Sequence, residues 1–155
     1  MKINKTKSLV KLVLLGALTL ISSCKKEMSD NNILLQEWQG PYGGVPAFDK
    51  MDIKDIQAAV EKGMELNLAE IEAIANSTKE ATFENTIEAM ERSGTELDRV
   101  FSYYGIMSSN VSSPEFREIQ SNLAPKLSVF SSNISQNKAL FNRIKTVYEA
   151  SLINP

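Results

Sequence analysis

The sequence predicts an all-α fold of about four amphipathic helices, and three observations support this prediction. Apolar residues recur at intervals of three and four over most of residues 52–151. No segment alternates apolar and polar residues for long enough to form a core strand. The connections between the helical stretches are short, which favours antiparallel neighbours. Of the 155 residues, the roughly 120 that follow residue 32 suffice for one domain.

The first 23 residues have the three parts of a secretory signal peptide. A mostly apolar stretch at residues 12–21 is followed by Ser22, Ser23 and Cys24. The apolar stretch is preceded by four basic residues, Lys2, Lys5, Lys7 and Lys11. It is about half as long as a membrane-spanning helix needs to be. Since the ending Ile21-Ser-Ser-Cys24 resembles a bacterial lipobox, we expect cleavage between Ser23 and Cys24 and lipidation of Cys24.

Lipidation of Cys24 would attach the exported chain to membrane lipid, at the periplasmic side of a bacterial membrane or at the outer membrane. Residues 24–32 are polar, have no hydrophobic pattern and are expected to be a tether. Two alternatives for Cys24 are an ordinary thiol behind an exported leader and a short anchor that is never cut. Because Cys24 is the only cysteine, the chain can form no disulfide framework and no cysteine-based metal site.

Residues 33–51 are predicted to form an extended arm or loop before the helices. Gly40-Pro41 and Gly43-Gly44 interrupt any regular period in this segment. Trp38 and Tyr42 are expected to pin the arm onto the helical core by burying their rings. A binding role for these two aromatic residues is the alternative.

Residues 52–155 are predicted to contain the helices. Asp52 is expected to cap the first helix, which ends at Asn76-Ser77. Its apolar stripe consists of Ile53, Ile56, Val60, Met64, Leu68, Ile71 and Ala75. The second helix is expected to run from after Thr82 to about residue 109, with Gly94 as its only weak position. Its stripe consists of Phe83, Ile87, Met90, Leu97, Phe101 and Tyr104.

The third helix has a clear start, because Ser113 is a good N-cap and Pro114 suits the first helical position. Its stripe consists of Phe116, Ile119, Leu123, Leu127, Phe130 and Ile134. Pro125 lies inside this run and should kink the helix or split it near Leu123. The last helix is expected from about Lys138 to Ser151. Its stripe consists of Leu140, Phe141, Ile144, Val147 and Tyr148.

Charge and composition exclude several function classes. Removal of residues 1–23 takes away four lysines and no acid, which leaves 13 basic and 19 acidic residues. Such an acidic chain is not expected to bind nucleic acid. The sequence contains no histidine, so Ser-His-Asp and Cys-His sites, H-E-x-x-H zinc sites and a histidine general base are all excluded.

The acidic residues of the first two helices are the remaining candidates for chemistry. They are Glu61, Glu65, Glu70, Glu72, Glu84, Glu88, Glu91, Glu96 and Asp98. A di-iron carboxylate bundle would need Glu-x-x-His pairs, so these residues are expected to be solvated helix faces. The spacing of Glu88 and Arg92 predicts a salt bridge, and that of Glu61 and Glu65 a mild repulsion.

Two segments resemble one known family. The arm Leu34-Leu-Gln-Glu-Trp-Gln-Gly-Pro-Tyr-Gly-Gly-Val-Pro-Ala-Phe-Asp-Lys-Met51 is similar to the N-terminal arm of bacterial peptidyl-dipeptidases. These enzymes belong to the thimet oligopeptidase family of zinc metallopeptidases, which includes oligopeptidase A. Thr82-Phe-Glu-Asn-Thr-Ile-Glu-Ala-Met-Glu-Arg-Ser-Gly94 resembles a recurrent segment of the same family and is the most specific signal. Further similar segments at residues 70–76, 97–101, 119–127 and 142–148 extend the resemblance, which covers roughly residues 33–150.

The resemblance implies a longer, almost wholly helical enzyme that cleaves short peptides in a channel, with zinc held on an H-E-x-x-H helix. That motif does not occur here, so no catalytic and no metal-binding residue can be carried over. We therefore expect residues 52–155 to be the N-terminal helical region of such a peptidase, inactive alone, whose partner is the missing catalytic region and whose family cofactor is zinc. The alternative is a stand-alone helical lipoprotein with a binding or scaffold role. A severed region should expose a large apolar patch, whereas a self-sufficient bundle should not.

Overall fold

The computed structural model describes residues 32–153. These residues contain no strand beyond a single isolated β-bridge. The long helices are α1 (Asp55–Ala75), α2 (Thr95–Asn110), α3 (Pro114–Ser135) and α4 (Lys138–Ile153). Between α1 and α2 lie a π-helical turn, Glu84–Glu88, and one α-helical turn, Ala89–Glu91. The predicted all-α class with about four helices is confirmed.

Helix α1 is the centre of the described fold, since it packs against α2, α3 and α4 and most extensively against α2. Its buried side chains meet those of α2 and of the first half of α3. This main core contains Ile56, Ala59, Val60, Met64, Leu97, Val100, Tyr103, Met107, Phe116, Ile119 and Leu123. A smaller cluster joins the end of α1 to α4 through Ile71, Ala75 and Leu140.

The first helix begins later than predicted. Helix α1 starts at Asp55, and Lys54 precedes it without a side-chain cap. Asp52 instead forms a turn, in which its Oδ1 accepts from the Lys54 N–H at 3.0 Å and its carbonyl accepts from the Asp55 N–H at 3.0 Å. The N-cap prediction for Asp52 is therefore wrong, because this carboxylate closes a local turn ahead of the helix.

The predicted second helix is broken in two at Gly94. This residue has φ +81°, in the left-handed region that other residues adopt only with strain. Its N–H donates to Glu70 Oε2 at 2.7 Å, which fixes the break against α1. Residues Glu84–Glu88, ahead of the break, are π-helical, so a stripe drawn with period 3.6 does not hold there. Phe83, which was predicted to lie on the stripe, is accordingly 59% exposed.

Helix α3 begins as predicted and is not split. The Ser113 side chain accepts from the Phe116 N–H at 3.1 Å, and Pro114 occupies the first turn. Pro125 lies inside one continuous helix, so the predicted split near Leu123 is wrong. Proline removes the hydrogen bond to the carbonyl of residue 121. Both positions are exposed, so water can satisfy that carbonyl.

The arm packs on α1 and α2. Leu34, in a short 3-10 helix at Ile33–Leu35, is fully buried in the main core. Arg99 Nη1 donates to the Leu35 carbonyl at 2.5 Å, and the Ala47 N–H donates to Tyr103 Oη at 2.7 Å. The arm is thus held to α2 at two points about a dozen residues apart in sequence.

The two arm aromatics behave differently. Trp38 packs edge-to-face on Tyr103, with ring centroids 6.4 Å apart, and the expectation that it pins the arm is confirmed. Tyr42 is fully exposed and has φ +60°, so the same expectation is wrong for Tyr42. It lies at the tip of a turn where Gly44 passes close to Trp38. A Cβ at Gly44 would lie 2.5 Å from the Trp38 carbonyl group, so only glycine fits there.

Candidate functional site

The Thr82–Gly94 segment, which carries the most specific resemblance, starts with a reciprocal cap. The Thr82 N–H donates to Asn85 Oδ1 at 3.0 Å, and the Asn85 N–H donates to Thr82 Oγ1 at 3.3 Å. Asn85 Nδ2 also donates to the Glu80 carbonyl at 2.8 Å. This arrangement resembles a capping box and satisfies backbone donors that the first turn leaves free. The first half of the segment therefore fixes where the π-helical turn begins.

The same segment holds a buried arginine of α4. Arg143, only 8% exposed, donates through Nη2 to Asn85 Oδ1 at 2.6 Å and to Thr86 Oγ1 at 3.3 Å. Its Nη1 donates to the carbonyls of Ser77 and Lys79 at 3.0 and 2.9 Å. We call this set the Arg143 clasp. All four acceptors are uncharged, so the clasp joins α4 to the π-helical turn and to the chain after α1 without a carboxylate partner.

The sequence reasoning did not single out Arg143, although a signal was present. With Leu140, Ile144 and Val147, Arg143 shares the side of α4 that packs on α1 and the π-helical turn. A basic residue among apolar positions with helical spacing indicates a buried guanidinium that needs several acceptors. The acceptors come from a segment about 60 positions away, and helical periodicity carries no information about that pairing.

Two acidic residues of α1, Glu61 and Glu65, are paired with cations. Glu61 of α1 forms an ion pair with Lys126 of α3, and Gln57 donates to its Oε1 at 2.9 Å. Burial raises the pKa of the Glu61 carboxyl, but the hydrogen bonds from Lys126 and Gln57 outweigh burial and lower this pKa below its ordinary value. Glu65 pairs with Lys62 at 3.0 Å. Each of these two carboxylates therefore has its own cation, and the mild repulsion between Glu61 and Glu65 stays a prediction.

The acidic residues of the second predicted helix are mostly solvated. The predicted salt bridge between Glu88 and Arg92 is present on the surface. The Glu84 carboxylate is fully exposed, and hydrogen bonds from its own N–H and from Thr82 lower its pKa. Within residues 32–153 no three or more histidine, cysteine or acidic side chains are placed to hold a metal ion. The described residues do not fit the zinc that the resemblance implies.

The predicted cleavage and lipidation residues, Ser23 and Cys24, lie outside the described residues. Both assignments stay predictions. Among residues 32–153, none of the helices is long and apolar enough to cross a bilayer.

Helix α4 carries apolar side chains on the side opposite its buried face. Leu140 and Arg143 are buried, whereas Phe141, Tyr148 and Leu152 are 63%, 62% and 65% exposed. The exposed three are spaced by seven and four residues and so form one line along the helix. We call this line the α4 stripe. The outer face of a bundle helix is normally polar, so the stripe is suited to a further packing partner.

The comparison with known proteins shows which proteins this chain is similar to. The chain is 32% identical over 118 residues to the dipeptidyl carboxypeptidase of Salmonella typhimurium. It is 32% identical over 122 residues to the dipeptidyl carboxypeptidase of Escherichia coli. These alignments cover 76% and 79% of this chain. The resemblance to the peptidyl-dipeptidase family is confirmed. The chain spans only 17% and 18% of the two relatives, and no family model matches it.

In this peptidyl-dipeptidase-like chain, the segment with the most specific resemblance has a structural role. Thr82 and Asn85 cap each other, Asn85 and Thr86 accept from Arg143, and Gly94 makes the break before α2. The cap is local, whereas the Arg143 contacts and the Gly94–Glu70 hydrogen bond join this segment to α4 and to α1. The contacts seen in this segment are therefore architectural, and within residues 32–153 no group of three or more acidic, cysteine or histidine side chains is placed there to hold a metal ion.

Proposed function

We propose that this chain is a non-catalytic helical region of a zinc-dependent peptidyl-dipeptidase, an enzyme that hydrolyses short peptides. The identity with two dipeptidyl carboxypeptidases supports the enzyme class. The chain has no histidine and no H-E-x-x-H motif, so zinc and the chemistry reside in another region. This chain contributes the helices against which that region packs, and has no peptidase activity alone.

The α4 stripe carries this proposal. Its three side chains are roughly two-thirds exposed, and full burial of one such side chain contributes roughly 1.5 to 3 kcal/mol. The relatives have more than four-fifths of their length beyond the part that this chain covers. We assign the catalytic region of such a peptidase as the occupant of the stripe. An exposed apolar line also favours this role over a self-sufficient bundle.

The proposal is tested with the dipeptidyl carboxypeptidase of Escherichia coli from which the 122 matched residues have been deleted. Hydrolysis of a fluorogenic short peptide is measured for the deleted enzyme, for this chain with zinc, and for their mixture. Neither component alone should be active, and the mixture should regain activity. Peptidase activity of this chain with bound zinc would overturn the proposal.

Matched variants of α4 test the docking surface. F141S/Y148S removes the two aromatic side chains of the α4 stripe and should abolish the recovered activity. N142A/T146A changes two exposed polar positions of the same helix and should leave the recovery intact. Equal recovery with both variants would show that the stripe is not the interface.

We also propose that Cys24 is acylated and anchors this region to a bacterial membrane. The lysine-rich start, the apolar residues 12–21 and the small residues before Cys24 support the assignment. Cells fed labelled palmitate should incorporate label into the wild-type chain, and the chain should sediment with membranes. Cys24→Ser should abolish both. Label that persists in this variant would refute acylation at Cys24.

A further inference from the structure

The arm carries an exposed and uncharged turn. Tyr42 is fully exposed in this turn, and Val45 is 60% exposed. No charged side chain occurs between Glu37 and Asp49, although 23% of the whole sequence is charged. We call Tyr42 and Val45, with the two glycines between them, the arm tip. The arm tip therefore presents two apolar side chains to solvent on a charge-free segment.

The arm tip has a defined shape, although the Tyr42 ring is left in solvent. The Val45 N–H donates to the Gln39 carbonyl at 3.2 Å, and the Gly44 N–H donates to the Pro41 carbonyl at 3.2 Å. Tyr42 has φ +60° within this turn, in the left-handed region that is unfavourable for a residue with a side chain. Since the ring is fully exposed, its burial does not offset this strain. A preorganised and strained aromatic residue in solvent indicates a contact outside the described part of the chain.

The distance in sequence from Cys24 identifies a lipid surface as the partner. Residues 25–31 separate Cys24 from Asn32, so this tether spans at most about 28 Å when extended. Asn32 Nδ2 donates to the Asp55 carbonyl at 3.1 Å, which fixes the end of the tether beside the start of α1. Tyr42 follows only ten positions after Asn32. An acylated Cys24 therefore holds the arm close to the bilayer.

The chemistry of the arm tip suits the boundary between headgroups and acyl chains. Tyrosine is enriched there, because its ring is apolar while its hydroxyl stays hydrated. The tether makes docking of the tip an intramolecular step, so a contact of only two side chains suffices. We propose that the arm tip inserts Tyr42 and Val45 into the bilayer surface to which Cys24 is anchored. This inference rests on the proposed acylation of Cys24.

Tryptophan fluorescence of the chain on vesicles tests the membrane contact. The chain from Cys24 onward contains every described residue and one thiol. It can be coupled through this thiol to a maleimide lipid in phosphatidylcholine vesicles with brominated acyl chains. After subtraction of the wild-type Trp38 signal, Y42W should emit at shorter wavelength and lose much of its intensity to the bromines.

Y148W is the matched control, because Tyr148 is an exposed tyrosine of α4. Its emission should neither shift nor be quenched on the same vesicles. Unchanged emission of Y42W would overturn the proposal, since the tip would then face solvent or another protein region. Equal quenching of both probes would also overturn it, because the chain would then lie on the bilayer without a preferred face.

A second probe separates the Tyr42 ring from the rest of the arm tip. V45W, in a chain that keeps Tyr42, should also be quenched. Y42S/V45W should lose most of this quenching, whereas Y148S/V45W should keep it. Equal quenching of the two double variants would refute the role of the Tyr42 ring. All three positions are exposed, and because Y42W and V45W report independently, loss of folding in one leaves the test intact.

The outcome for the arm tip is independent of the outcome for acylation. Chemical coupling replaces acylation by the cell, so missing palmitate label would refute the anchor, whereas an unquenched tip on coupled vesicles would refute only the membrane contact. Uncoupled Y42W, mixed with the same vesicles, should be quenched little, because it lacks the effective concentration that the tether supplies. Equal quenching without coupling would refute the role of the tether.

Discussion

Replacement of Arg143 by methionine should destabilise the fold by about 3 kcal/mol. Methionine keeps much of the apolar stem and removes the guanidinium, which makes four hydrogen bonds at 2.6 to 3.3 Å. A hydrogen bond to a charged group contributes about 1.5 to 3 kcal/mol. Water can reach the exposed Lys79 segment and the half-buried Ser77, so the expected loss comes chiefly from Asn85 and the fully buried Thr86.

Urea unfolding followed by circular dichroism measures this loss. Against a total stability of about 5 to 15 kcal/mol, R143M should lower the midpoint substantially with an unchanged slope. R143K keeps the charge but has no planar fork, and should lose about 2 kcal/mol. R92M is the control, because Arg92 forms an exposed ion pair with Glu88 that contributes at most about 1 kcal/mol. If R143M is no less stable than R92M, the reasoning about the Arg143 clasp is refuted.

Three further predictions concern α1, α2 and α3. G94A should destabilise the fold by about 2 kcal/mol in urea unfolding, because φ is +81° and the new Cβ would lie 2.9 Å from Asn67 Nδ2. Unchanged stability would show that the backbone at this break relaxes without cost. S113A should lose about 1 kcal/mol of stability, measured by thermal unfolding, because it removes the acceptor that caps the Phe116 N–H. S128A, at an exposed position of the same helix, is the control and should have little effect. E61Q should reduce stability at pH 7 and have no effect at low pH. The pKa of the Glu61 carboxyl is lowered in the folded chain, so its ionised form stabilises the fold above the pKa of the unfolded chain. This stabilisation is lost as the pH falls through the folded pKa. A difference between E61Q and wild type that does not change with pH would contradict the Glu61–Lys126 pairing.

Much of the fold is predictable because its strongest signals are local. Ser113-Pro114 marks the start of α3 by side-chain geometry alone, and the structure agrees. Asn76 ends α1 as expected. The π-helical turn before Gly94 was missed, since its spacing departs from the 3.6-residue period by which apolar stripes are recognised. Asp52 was assigned as a cap because the same side chain suits a cap and a turn equally well.

Features that depend on distant partners were harder to predict. Phe141 and Tyr148 belong to the apolar pattern of α4, yet both are exposed, because periodicity finds a face without saying what covers it. Trp38 was expected to pack, but its partner Tyr103 was not foreseen, because the two are far apart in sequence. The family resemblance was recognisable from residue order alone. The contacts that explain its most specific segment required the three-dimensional structure.

The Arg143 clasp also has a consequence for the order in which the protein folds. Arg143 lies 57 to 66 positions from its acceptors, so the clasp closes a long loop at considerable entropic cost. The cap of Thr82 with Asn85 is local and can form early. We expect α4 to dock after this turn has formed, which leaves the clasp absent from the folding transition state. Substitution of Arg143 should then accelerate unfolding while the refolding rate stays nearly constant.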